Sequence, residues 1–174
     1  MKYFLTAKHW QIFFLVAGIP IIGDLFYDQT NSYVFSFHSV LTIISGVSFF
    51  TWLWSIESVI GKFRIAVNPI RSRQFKIIFF AVIFYIAISL LLLLLTGAFL
   101  DNVYWFVLHF ICVIFVLIIF YQCAKLIRQV ELNREPDFAE FFLYFLLIWF
   151  FPLGIWVMQP KLNRIMSPKL LLVK

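Results

Sequence analysis

The chain predicts an all-α integral membrane protein, and three observations carry that prediction. From Ile77 to Phe99 the sequence IIFFAVIFYIAISLLLLLLTGAF holds no charged side chain. At about 1.5 Å of rise per residue it is long enough to cross the ~30 Å hydrocarbon core of a bilayer. The 174 residues are 64% hydrophobic and 13% charged, with a mean hydropathy of +1.00, so an aqueous fold would have to expose far more apolar surface than solubility allows. The basic residues, finally, gather in short stretches that flank the apolar segments, where topology and anionic headgroups explain a net charge of +6 without nucleic acid.

The first apolar segment covers about residues 10–26, with Lys2 and Lys8 before it and Asp24 and Asp28 at its far end. A basic start and an apolar run suit a signal peptide, but no small-x-small cleavage site follows, so the segment is expected to remain as an uncleaved first span. Pro20 removes one helix hydrogen bond and predicts a kink. After DQTNS a second span covers about residues 33–60, longer than a perpendicular crossing needs, so it tilts or projects into the cytoplasm. The loop that follows carries Lys62, Arg64, Arg71, Arg73 and Lys76 and no acidic residue.

The third span covers residues 77–99, and the turn LDNVY leads to a fourth at about 105–124. The mixed-charge stretch KLIRQVELNREPDFAE predicts a short exposed helix that ends before Pro136. The last apolar segment, residues 141–158, is interrupted by Pro152, Leu153 and Gly154 and predicts a re-entrant or interfacial hydrophobic hairpin. Residues 159–174 form a cytoplasmic tail, in which Pro160 starts a last amphipathic helix at the headgroups.

Positive charge arbitrates the topology. With four crossings and both termini cytoplasmic, all 14 Lys and Arg lie on one side. A five-span alternative, in which 141–158 crosses, moves Lys161, Arg164, Lys169 and Lys174 to the other side, which the rule disfavours. No repeat or linker divides the chain, so residues 1–174 are read as a single membrane domain built as a four-helix bundle. Cys112 and Cys123 share one helix about 16 Å apart, beyond the ~7 Å a disulfide can bridge, and are expected to be inert core thiols.

Three constellations stand out. On the second span Ser36, Ser39, Thr42, Gly46 and Glu57 fall within about 120° of one another at 100° per residue. Small residues at this spacing let helices approach closely in lipid, so this face is a helix-packing seam or a pore lining. Glu57, near the cytoplasmic end, needs a partner, and Lys62 and Arg64 are near in sequence. Towards the opposite side Asp24, His38 and His109 share a depth, with Asp28 and Asp101 above; two histidines and a carboxylate are groups that bind a divalent metal or relay protons. Trp10, Trp52, Trp54 and Trp105 lie near span ends as an aromatic belt does, whereas Trp149, Phe150, Phe151 and Trp156 flank the hairpin bend.

The opening Lys8-His9-Trp10-Gln11 and Gly18-Ile19-Pro20, with the closing Gly154-Ile155-Trp156, Gln159-Pro160 and Asn163, resembles small multi-span proteins of Bacteroidota. The resemblance covers the two ends only. It implies a bacterial inner-membrane location and a structural role for the two ends docked together at the cytoplasmic face, and it transfers no activity.

No segment outside the spans is long enough for a soluble catalytic domain, there is no HExxH, GxSxG or CxxC, and no motif implies a cofactor. The expected function is therefore non-enzymatic: a membrane protein that acts by assembly, as a small oligomeric pore or permeability-altering effector, or as the membrane subunit of a larger system. The bilayer and copies of itself, or another membrane or cytoplasmic protein, are its expected partners, and nucleic acid is not. The alternative is a small transporter or an intramembrane metal-dependent enzyme that uses Asp24, His38 and His109. The substrate, the trigger and the partner are not written in the residues.

Overall fold

Helices and no strand make up the described residues of the protein, a computed structural model that covers 2–26, 32–61, 69–96 and 103–166, with side chains at 3–26, 37–61, 72–92 and 104–166. The element order is α1 (Lys2–Thr6), α2 (His9–Phe13), a π turn (Phe14–Gly18), α3 (Ile19–Leu25), α4 (Ser32–Ser55), a second π turn (Ile56–Ile60), α5 (Pro69–Thr96), α6 (Val103–Leu132), α7 (Phe138–Trp149) and α8 (Phe151–Ile165). Three helical stretches, Phe37–Ile60, Ser72–Leu92 and Tyr104–Leu132, are long and apolar enough to cross a membrane. His9–Leu25 is apolar but shorter.

The chain forms two compact units, one of Met1–Ile65 with Cys123–Lys174 and the other of Ala66–Gln122. One boundary falls inside α6, where no change of composition marks it, which is why the sequence reads as one domain.

In the first unit the π turn and α3 run along α4, while α2, continuous with them, packs on α8. A helical carbonyl at Val16 would ordinarily receive the amide of residue 20, and Pro20 has none. Ser45 of α4 donates its hydroxyl to that carbonyl at 2.6 Å, and the π turn Phe14–Gly18 absorbs the local misfit. α8 packs on α7, α2 and α1. The shared core is fully enclosed, with Leu5, Trp52, Leu53, Ile56, Ile155 and Leu162 all at 0% exposure. Where lipid is the competing solvent, burial of such side chains gains little by itself, so shape and hydrogen bonds must hold the junction.

Four expectations need correction here. The last apolar segment breaks between α7 and α8 at Phe150, not at Pro152 to Gly154: Phe150 leaves helical geometry at φ −88 and ψ 53, while Pro152 sits in the first turn of α8, where its missing amide costs nothing. Pro160 starts no new helix but lies inside α8, which continues to Ile165. The mixed-charge stretch is not a separate exposed helix either. α6 continues through it to Leu132, with Leu126 and Ile127 fully buried, because its apolar side faces the core and only its charged side is wet. Trp52 is no interfacial anchor, being 0% exposed.

Gly154 explains how α7 and α8 come so close. A Cβ there would lie 1.7 Å from the carbonyl oxygen of Leu147, so only glycine fits. Arg134 and the amide of Asp137 both reach the Glu140 carboxylate and fix the entry into α7.

In the second unit Tyr85 of α5 meets His109 of α6, hydroxyl to Nδ1 at 3.1 Å, with the Trp105 ring 5.7 Å from that of Tyr85. Large apolar side chains remain uncovered on both helices, among them Ile77, Phe80, Phe84, Phe106 and Phe110, as lipid-facing residues are.

Candidate functional site

Two polar constellations are built inside the first unit, and the first lies where the two ends of the chain meet. At the first, the Gln159 side chain from α8 is fully buried and uses both ends of its amide. Its Nε2 donates to the carbonyls of Phe4 at 2.8 Å and Ala7 at 3.0 Å, which close the end of α1. Its Oε1 accepts from Trp52 Nε1 at 3.0 Å, and Asn163 Nδ2, one turn on, donates to Ala7 at 3.1 Å. The opening residues complete the joint. Gln11 accepts the Lys8 amide at 2.9 Å and so starts α2, and the rings of His9 and Phe13 lie 4.5 and 5.7 Å from Trp156. The two ends that carry the resemblance thus touch each other.

At the second constellation, α6, α7 and α8 each contribute charge or a hydroxyl. The Glu131 carboxylate accepts from Arg128 at 3.0 Å and from the Tyr144 hydroxyl at 2.5 Å. Lys161 donates to the same hydroxyl, and its ammonium lies 4.4 Å from the centre of the Tyr144 ring. The Arg128 guanidinium is 5.7 Å from that centre. Lys125 pairs with Glu135 at 2.5 Å. Outside the helices read as spans, Glu140 is held below the usual carboxylate range, first by its hydrogen bonds from Arg134 and then by the Asp137 amide.

The remaining sequence candidates divide. Asp24 and His38 meet at 2.7 Å near the ends of α3 and α4, while His109 is bonded to Tyr85 in the other unit. Among the described residues no three His, Cys, Asp or Glu side chains gather as a metal-binding group. On α4 the packed polar positions are Ser45, Ser48 and Ser55. Ser39 is half-buried, Thr42 is exposed with its hydroxyl on the His38 carbonyl, and Gly46 has nothing within 4 Å of a Cβ built on it. Among the described residues nothing packs on the Cβ position of Gly46. Glu57 is buried in the second π turn. Lys62, Arg64, Asp28 and Asp101 lie outside the described residues, as do the side chains of Ser36 and Arg71; Arg73 and Lys76 are exposed on α5. Cys112 and Cys123 are buried free thiols.

Sequence reasoning missed Ser45, the Trp52 contact, and the grouping of Arg128, Glu131, Tyr144 and Lys161. The spacing of Ser45, Ser48, Trp52 and Ser55, alternating three and four, was a signal for the packed face of α4. Tyr144 stood out as the one hydroxyl-bearing ring within the apolar run 141–158.

The fold and these sites define a helical protein with three helices long and apolar enough to span a membrane, tied at its two ends by a buried amide network. No family model, curated protein or solved structure matches the chain.

Proposed function

We propose that this chain is a multi-pass inner-membrane protein of four crossings that acts by assembly, associating with copies of itself into a small pore or permeability-altering complex. The observation that carries the reading is the open notch on α4. Thr42 is exposed, a Cβ on Gly46 would meet nothing within 4 Å among the described residues, and Ile43 and Val47 beside them are 44% and 61% exposed. Small residues on a lipid-facing span are the surface against which a second helix packs most closely. His9–Leu25 serves as the fourth crossing: its ~25 Å is at the short end of the workable range, and the Pro20 gap is closed from α4, as a span in lipid requires. Both termini are cytoplasmic in this topology, and α7 and α8 lie as an interfacial hairpin at the cytoplasmic surface. Phe138, Phe142, Phe145 and Trp149 support that placement, forming an aromatic ladder along α7 with ring spacings of 5.2, 6.2 and 5.8 Å.

The test is ion and dye flux from liposomes that hold the full-length protein, paired with its mass in detergent. Flux and an oligomer that Gly46→Leu abolishes, with helicity unchanged, support the reading. A monomer that passes neither ion nor dye at any potential or pH refutes it.

A further inference from the structure

We infer that Arg128, Tyr144 and Lys161 form a seat for the phosphate of an anionic phospholipid headgroup. The inference rests on the interfacial placement of α7 and α8. Its first ground is charge. Two cations face one carboxylate, and Lys161 Nζ stands 3.9 Å from Glu131 Oε1, outside direct hydrogen-bond reach. The ammonium spends one donor on the Tyr144 hydroxyl and, at 38% side-chain exposure, has others to offer.

The second ground is an unmet donor. Arg128 gives Nη1 to Glu131, while its buried Nε has no hydrogen-bond partner. Buried donors are satisfied in the great majority of cases, and those on a charged group most of all. A guanidinium is built for two-pronged recognition of a phosphate, and here Glu131 engages only one prong.

The third ground selects lipid over a free anion. The seat lies between helices whose outer faces are apolar. Phe138, Phe142, Leu143 and Trp149 of α7 are 63%, 40%, 60% and 49% exposed, and Leu153 and Val157 of α8 are 75% and 45% exposed. A phosphate that brings acyl chains buries those faces at the same time. With α7 and α8 lying in the interface plane, the apolar side of each sinks about 5–10 Å below the headgroups, and Tyr144 stands between the two helices and the wet, charged side of α6. The ring on which both cations rest is then at headgroup level, where tyrosine and snorkelling basic side chains are at home.

The experiment uses the full-length protein in nanodiscs of phosphatidylcholine with or without phosphatidylglycerol. A nitroxide at Leu153→Cys reports the depth of the hairpin, since Cys112 and Cys123 are buried. Native mass spectrometry counts retained phosphatidylglycerol. The inference expects the label in lipid, and retention that falls about tenfold in Lys161→Gln and in Arg128→Gln. It expects retention to rise in Glu131→Gln, which frees both cations, whereas a purely structural cluster would lose it in all three. A label in lipid with equal retention of both lipids, or a loss in Glu131→Gln, overturns the seat and leaves the hairpin placement standing. Full displacement of the lipid by inorganic phosphate overturns the lipid as the source. A label in water overturns the placement, and the seat with it.

Discussion

Replacing Gln159 by Leu keeps the volume of the side chain and removes all its hydrogen bonds, so the loss can be worked from named atoms. Trp52 Nε1, in a ring at 0% exposure, loses its acceptor, and the Phe4 carbonyl loses the donor that closes α1. Ala7 keeps the Asn163 amide. The buried Trp52 Nε1 and the part-buried Phe4 carbonyl thus lose these partners, at about 1–3 kcal/mol each. In lipid-exposed helices comparable bonds average nearer ~0.6 kcal/mol, because the unfolded chain there also finds partners. The junction is enclosed by protein, so the larger scale applies and the expected loss is about 2–6 kcal/mol. The assay is reversible unfolding in mixed detergent micelles, followed by far-ultraviolet circular dichroism. A cycle with Trp52→Phe adds a second constraint. The double variant should lose about 1 kcal/mol less than the sum of the two single losses, since one bond is counted twice. A loss below ~0.5 kcal/mol, or strict additivity, would refute the claim that this amide holds α1, α4 and α8 together.

Other expectations follow from single contacts. Gly154→Ala places a methyl 1.7 Å from the Leu147 carbonyl oxygen and should cost about 3 kcal/mol or more or part α7 from α8. A Cβ on Gly46 meets nothing within 4 Å among the described residues, so the Gly46→Leu monomer should unfold within ~0.5 kcal/mol of the parent. A spacing between spin labels on α7 and α8, together with the same unfolding assay, separates the two. Ser45→Ala should cost about 1 kcal/mol, and that cost should shrink in a Pro20→Ala background, where residue 20 regains an amide for the Val16 carbonyl. Glu140 has a folded pKa lowered from its ordinary 4.5, so the stability it contributes is complete above that value and is lost as pH falls through the lower folded one. Carbon-detected titration of Glu140 should show the low value, and Arg134→Gln should return it towards 4.5.

Much of the fold was legible because it follows from local chemistry. An uncharged run such as Ile77 to Phe99 has to be a helix in lipid, where every backbone amide needs a partner within its own segment. The helices of α4, α5 and α6 accordingly fall on the expected second, third and fourth segments. Pro20 marked a real irregularity and the late Pro-Leu-Gly stretch lies just after one, at Phe150, but a proline alone does not say which neighbour answers it. At Pro152 the answer was a helix start, at Pro160 nothing broke, and near Pro20 it was a π turn and a hydroxyl from another helix. The face of α4 that packs within the chain was not legible for a different reason. Angular position around a helix says which residues share a face, not which face the rest of the chain covers, and the covered positions proved to be Ser45, Ser48, Trp52 and Ser55.

What this sequence determines alone is its class, because apolar length set against bilayer thickness marks helices able to cross a membrane. Only the tertiary structure brings Gln159 to Trp52 and Phe4 across more than a hundred residues, and sets Lys161 and Arg128 on one tyrosine ring. Hydropathy and periodicity are properties of neighbours along the chain. Partnerships between remote polar groups are chosen by how the helices pack, and in a setting where burial of apolar side chains gains little, those partnerships decide the arrangement.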